Sequence, residues 1–201
     1  MAATDPIAEK TDEELARDAR AGSRRSFEEL ASRYKRRLFV YLRPRLGSDE
    51  DAEDMVQDTF LKIYRSIDRY DPAYRFSTWL YTSASRLAID SFRKNAVARD
   101  QALASSGTDI PDQAAGREFE AGAAGVWDTA RTLGTARYRV LWLRYGEDMT
   151  IEEIAAVLGR SRLAVRVLLH RARTSLAGRL GPDVGLAART RSGVARQAAG
   201  D

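Results

Sequence analysis

The chain has 201 residues, of which 44% are hydrophobic; 33 Lys and Arg outweigh 29 Asp and Glu for a formal net charge of +4, and there is no cysteine. That length allows one ordinary domain or two small ones, and the missing thiols exclude disulfides and thiolate chemistry. Met1-Ala2-Ala3-Thr4-Asp5-Pro6-Ile7 holds no apolar run of signal-peptide length, and no stretch reaches the roughly 20 apolar residues of a membrane span, so a cytoplasmic protein without membrane insertion is expected.

Residues 1–22 form a polar, weakly periodic N-terminal extension with a candidate helix over Asp12–Ala21. Phe27, Leu30, Ala31, Tyr34, Leu38 and Tyr41 then recur at spacings of three and four and predict one buried helix face. Ser26 is the expected N-cap, with Glu28 and Glu29 in the favoured first turn, and Pro44 and Gly47 mark the exit. A second helix starts at Ser48 or Asp49. Its buried stripe is Ala52, Met55, Val56, Phe60, Ile63 and Ile67, and its other face carries Glu53, Asp54, Gln57 and Asp58.

Asp71-Pro72 breaks the pattern. Ser77 is expected to cap a third helix running to about Lys94, with Leu80, Ala84, Leu87 and Ser91 along one side and Arg86, Arg93 and Lys94 elsewhere. Residues 96–124 are rich in Ala, Gly, Ser and Asp and predict a flexible linker. Helical periodicity returns at Val126 and holds to Leu180, and residues 181–201 are expected to be a disordered tail. The predicted fold is all-α: two small helical domains, 23–95 and 125–180, joined by the linker.

The second domain carries a helix-turn-helix pattern. Thr150-Ile151-Glu152-Glu153 has capping-box spacing, Ile151, Ile154, Ala155 and Leu158 make an inner face, Gly159 suits a left-handed turn, and Ser161 can cap the next helix. There Val165, Leu169, Ala172 and Leu176 point to the core, while Arg160, Arg162, Arg166, Arg171, Arg173 and Arg179 fall in a stretch without an acid. A charge run alone usually means a solvated helix face. The cap, the glycine turn and the single-sign helix together favour a helix in the DNA major groove, its first turns toward base edges and its arginines on phosphates.

Between the second and third helices, Tyr70-Asp71-Pro72-Ala73-Tyr74-Arg75-Phe76-Ser77-Thr78-Trp79-Leu80-Tyr81 interleaves rings with polar and basic residues. Unpaired bases stack on exposed rings, and buried rings build cores; composition leaves both open. The acidic run from Asp49 to Asp58 does not suit a DNA surface. It is either a solvated face or a meeting place for a basic protein surface.

Catalysis finds no support. The single histidine, His170, lies among arginines on the candidate recognition helix, and there is no P-loop, no HExxH and no clustered metal-ligand set; no cofactor is expected.

Asp51-Ala-Glu-Asp-Met-Val-Gln-Asp-Thr-Phe60, Phe76-Ser-Thr-Trp-Leu-Tyr81 and Leu87-Ala-Ile-Asp90 resemble region 2 of extracytoplasmic-function sigma factors. Leu143-Arg-Tyr145, Thr150-Ile-Glu-Glu-Ile-Ala155, Leu158-Gly159 and Leu169-His-Arg-Ala-Arg173 resemble region 4. The match spans about three quarters of the chain. The resemblance implies a sigma factor that binds RNA polymerase core and directs promoter-specific initiation. It implies that Glu53, Asp54, Gln57 and Asp58 dock on the β′ clamp of the polymerase, and that region 4 meets the β flap. Tyr70, Asp71, Tyr74, Arg75, Ser77, Thr78 and Trp79 would capture unpaired −10 bases, with Arg86, Arg93 and Lys94 on nearby backbone. Ser161, Arg162, Arg166, Val167, His170, Arg171 and Arg173 would read −35 duplex, with Arg144 on its backbone. It also implies an anti-sigma partner. The chain departs from the family at Val167 and Leu168, where a small polar residue followed by a basic one is common; Val167 could touch a thymine methyl. The rival expectation is a helix-turn-helix regulator that binds duplex DNA without polymerase.

Overall fold

A computed structural model describes residues 6–103 and 124–180, with side chains for 6–93 and 125–180. Among the described residues the α-helices are α1 (Asp12–Arg20), α2 (Arg24–Leu46), α3 (Asp49–Arg65), α4 (Phe76–Leu103), α5 (Ala124–Arg131), α6 (Thr135–Leu141), α7 (Ile151–Leu158) and α8 (Arg162–Leu180). A 3-10 turn spans Ile67–Arg69 and a π-helical turn spans Trp142–Gly146. No strand occurs among the described residues, so the all-α class holds. The helices fall into two compact units, α1–α4 with residues 152–160 in one and α5, α6 and α8 in the other.

In the first unit, α1 starts with a reciprocal cap. Thr11 Oγ1 accepts from the Glu14 amide at 3.2 Å, and the Glu14 carboxylate accepts from the Thr11 amide at 2.8 Å, which holds that carboxyl below its usual pKa. The helix buries Leu15, Ala16 and Ala19. Its Asp12 carboxylate accepts from Arg33 at 2.9 Å and from the Tyr34 hydroxyl at 2.5 Å, while Arg33 also donates to the carbonyls of Ala8 and Lys10. Those bonds lash α1 to α2.

Helix α2 begins a turn earlier than its sequence suggests. Ser23 is the N-cap and accepts from the Ser26 amide at 3.3 Å; Ser26, the expected cap, is buried with its hydroxyl 2.8 Å from that of Ser23. Arg24 and Arg25 are good helix formers and extend the first turn upstream. Pro44 lies inside the last turn, where it costs a single ladder bond. The helix stops at Gly47, whose φ of +86° suits glycine.

Ser48 caps α3 by accepting from the Asp51 amide at 3.0 Å. The buried stripe contains Ala52, Met55, Val56 and Ile63 as expected, and also Thr59, whose hydroxyl is satisfied by the Met55 carbonyl at 2.7 Å. Phe60 and Ile67 are only half-buried. Helix α4 packs Leu80, Tyr81, Ala84 and Ala88 into the core shared with Leu38 and Tyr41. The Tyr41 and Tyr81 rings meet edge to face at 4.9 Å, and the Tyr41 hydroxyl lies 2.9 Å from that of Ser85. Helix α4 continues to Leu103, past the expected end near Lys94. Residues 95–103 contain no Gly or Pro and several strong helix formers.

The second unit is organised by an aromatic cluster. Trp127 lies edge-on to Tyr138 at 6.2 Å and to Trp142 at 4.9 Å, and Tyr138 stacks on Trp142 at 6.2 Å. Burial pushes the Tyr138 phenol up to about 12. Val165, Leu169 and Ala172 of α8 are buried, each large one worth roughly 1.5–3 kcal/mol. At the far end of α8, Arg179 donates to the Thr132 carbonyl at 2.9 Å and bonds to its hydroxyl.

Candidate nucleic-acid and polymerase interfaces

The loop before α4 is a built turn. Tyr74 donates its amide to the Asp71 carbonyl at 3.1 Å, and the Asp71 carboxylate accepts from the Ala73 amide at 3.0 Å. Tyr70 is 1% exposed, its ring 5.9 Å from Phe76 and 5.4 Å from Trp79, and its hydroxyl donates to the Tyr74 carbonyl at 2.7 Å. Burial, with Glu13 nearby, pushes the Tyr70 phenol up to about 12. Helix α1 braces the loop twice: Arg20 donates to the Tyr70 carbonyl at 3.3 Å, and Glu13 accepts from the Phe76 amide at 3.3 Å.

Composition left the rings undecided between core and surface, and the fold divides them. Tyr70, Phe76 and Tyr81 are core; Trp79 is half-buried against Tyr70 and Phe76; Tyr74 is 66% exposed, beside exposed Asp71 and Arg75. Ser77 does not cap α4. Its hydroxyl is buried and takes no hydrogen bond among the described residues, and Glu13 fills the capping position instead. Thr78 is half-buried, and Arg86 and Arg93 are exposed further along α4. The side chain of Lys94 lies outside the described residues.

On α3, Glu53, Asp54, Gln57 and Asp58 are all exposed, opposite buried Met55 and Val56. Sequence reasoning missed the continuation of this face. Leu61 and Tyr64 are 51% and 49% exposed, and Leu61 follows Gln57 and Asp58 at helical spacing. Leu61 falls outside the predicted buried stripe, which was the available signal. The Tyr64 ring rests on Phe27 at 4.9 Å.

Helix α7 ends at Gly159, φ +61°, with the Arg160 amide returning to the Ala155 carbonyl at 3.0 Å. Ser161 then accepts from the Ala164 amide at 3.2 Å, so its hydroxyl already serves the start of α8. Arg162, Arg166, Val167, His170, Arg171 and Arg173 are exposed on α8, away from buried Val165, Leu169 and Ala172. Leu163 is 71% exposed on the same side and was not anticipated. Arg179 is spent on Thr132, and Arg144, half-buried in the π-helical turn, donates to the Met149 carbonyl at 2.8 Å. Among the described residues no helix is long and apolar enough to cross a membrane.

The family model of sigma-70 region 2 matches residues 30–97, and that of sigma-70 region 4 matches residues 128–176. The chain is 31% identical over 163 residues to RNA polymerase sigma factor YlaC of Bacillus subtilis, covering 76% of this chain and 91% of that protein. It is 32% identical over 169 residues to RNA polymerase sigma factor CarQ of Myxococcus xanthus, covering 81% and 93%. Among solved structures, CnrH in complex with the cytosolic domain of CnrY is similar at a TM-score of 0.57 and 29% identity, covering 84% of this chain and 96% of that one. With both regions present in order, relatives matched over nearly their whole length and 30% identity over 175 residues to ECF RNA polymerase sigma factor BldN of Streptomyces coelicolor, this chain belongs to the extracytoplasmic-function family of RNA polymerase sigma factors and directs transcription initiation.

Proposed function

We propose that this sigma factor divides promoter recognition between two helical domains, 23–95 and 125–180, with polymerase bound through faces separate from the DNA-reading ones. The observation that carries the proposal is the exposed face of α8, where Arg162, Arg166, Arg171 and Arg173 stand clear of the core in a segment without an acid. A helix is about 10–12 Å wide and the major groove about 12 Å, so this face fits −35 duplex with arginines on phosphates. Val167, His170 and Ser161 lie toward the bases. Arg144 supports the turn ahead of α7 as well as facing backbone.

The −10 element, once unpaired, meets the loop from Tyr70 to Arg75 and the start of α4. Tyr74 offers an exposed ring for stacking and Arg75 a charge for backbone. Asp71 shapes the turn. Tyr70, shut in the core, takes part by holding the Tyr74 carbonyl, and Trp79 backs the site. Thr78 lines the start of α4 with Ser77 buried behind it, and Arg86, Arg93 and Lys94 hold neighbouring backbone.

The acidic face of α3 at Glu53, Asp54, Gln57 and Asp58 docks on the β′ clamp, with Leu61 and Tyr64 adding apolar area beside the charges. Region 4 meets the β flap. The similar structure of CnrH holds it in complex with the cytosolic domain of CnrY, which supports an anti-sigma partner here too. The protein acts beside the polymerase in the cytoplasm and performs no chemistry itself; phosphodiester synthesis belongs to the polymerase. A regulator working on duplex alone would leave the acidic face and the braced loop without a role.

Run-off transcription with purified core polymerase tests this. Core plus this chain is expected to give discrete transcripts from a subset of genomic templates, and no template-specific product would overturn the assignment.

A further inference from the structure

The exposed face of α8 has an unusual centre. At 100° per residue, Leu163, His170, Thr174 and Val167 fall within an arc of about 60°. Arg166, Arg173 and Arg162 lie on one flank and Arg171 on the other, with buried Val165 and Ala172 opposite and buried Leu169 about 130° round from the centre of the arc. Leu163 is 71% and Val167 42% exposed, so the N-terminal part of this line is an apolar ridge, which His170 and Thr174 continue toward the C-terminus. No Asn, Gln or Arg occupies that ridge, although those are the side chains that make bidentate contacts to adenine or guanine.

We propose that Leu163 and Val167 are specificity-determining residues that read 5-methyl groups of pyrimidines on the major-groove floor, so that upstream promoter selection rests on thymine methyls. This rests on α8 being the helix that enters promoter duplex. The apolar group that the major groove displays is the thymine methyl, and a leucine and a valine have no other complementary feature there. The arginine flanks supply the complement to the two phosphate backbones, which a ridge docking on a protein surface would not need on both sides. Leu163 and Val167 are one helical turn apart, about 6 Å along the axis, which matches about two base-pair steps of roughly 3.4 Å. Two methyls about two steps apart are therefore read together, and His170 and Thr174 follow the same line toward the next step.

The test uses the full chain bound to polymerase core. Duplexes with a randomised upstream window are selected for binding, and each thymine of the selected element is then replaced in turn by deoxyuridine, which lacks only the methyl. Two positions about two steps apart are expected to lose about fourfold in affinity, the equivalent of one buried methyl each. A cytosine placed at either position is expected to bind better as 5-methylcytosine than unmodified. Leu163→Ala and Val167→Ala are expected each to abolish the deoxyuridine effect at one position and to leave the salt slope unchanged. Sequence-selective binding indifferent to deoxyuridine everywhere would overturn the methyl reading while leaving α8 as a DNA helix. Absence of upstream duplex selection would overturn the assignment of α8 itself. Variants that keep duplex affinity but lose core polymerase would make the ridge a protein-docking surface, and the methyl reading would fall.

Discussion

Glu13 caps a helix that starts 63 residues later: its carboxylate accepts the Phe76 amide at 3.3 Å. The first turn of α4 has donors left over by helix geometry, and the negative charge also suits its positive dipole end. Glu13→Ala is expected to destabilise the first unit by about 1 kcal/mol, a loss comparable to removal of an N-cap side chain. Urea unfolding and hydrogen exchange at the Phe76 amide check it. Exchange unchanged at that amide would show the cap to be idle.

Tyr74 and Tyr70 are neighbours with opposite jobs, and substitution separates them. Tyr74→Ala is expected to weaken binding to single-stranded non-template −10 DNA by about 1–3 kcal/mol while leaving the unfolding midpoint near that of the parent. Tyr70→Ala is expected to cost about 3 kcal/mol or more of stability, because it empties a core site and removes the bond to the Tyr74 carbonyl. Fluorescence anisotropy with a labelled oligonucleotide, beside thermal melts, measures both. Equal effects on melting would refute the division.

Asp54 lies exposed in the middle of the acidic face of α3. Asp54→Arg reverses its charge without touching the core and is expected to reduce affinity for polymerase core at least tenfold, as like charges meet across the interface. Binding to isolated −35 duplex should be unchanged. Parallel pull-down and duplex titration distinguish this from misfolding, which would reduce both.

Arg166 stands on the arginine flank of α8. Arg166→Ala is expected to weaken −35 duplex binding and to lower the slope of log affinity against log salt by about 1, as one phosphate contact disappears. Titrations at several salt concentrations give the slope directly. An unaltered slope would take Arg166 off the phosphate contacts.

Tyr70 and Tyr138 have phenols pushed from 10.0 up to about 12 by burial. The folded state therefore favours the neutral phenol. Its contribution to stability is complete below pH 10 and is lost as the pH rises from 10 through about 12, where the unfolded chain releases protons the folded one retains. The Tyr70 and Tyr138 phenols are expected to ionise late by absorbance at 295 nm, with unfolding shifting them back toward 10. Both titrating near 10 in the folded chain would contradict this.

Some of this molecule is local and some is not. Periodicity found the stripes of α2, α3 and α8 because burial on one helix face repeats every three or four residues. The start of α3 at Ser48 or Asp49 was legible because the bond that fixes it, from the Asp51 amide to Ser48, spans one turn. The basic character of α8 and the acidic character of α3 follow from which residues alternate with the buried ones, so the two surfaces could be named before any coordinates. Shared motifs pointed to the family for the same reason.

What sequence alone determined, then, was the all-α class, the order of α1 to α4 and of the α7–α8 pair, the charge of the exposed faces of α3 and α8, and the family. Only the tertiary structure decided which aromatic in the loop is core and which is surface, because Tyr70 and Tyr74 are the same residue type four positions apart and differ only in what packs over them. It alone made α1 a brace, since Glu13 and Arg20 act on atoms more than 45 residues away in sequence. It alone left Leu163 outside the core, because an apolar side chain carries no label for its destination. Capping by a distant carboxylate and exposure of a leucine depend on where other helices pass, and no window of neighbouring residues contains that information.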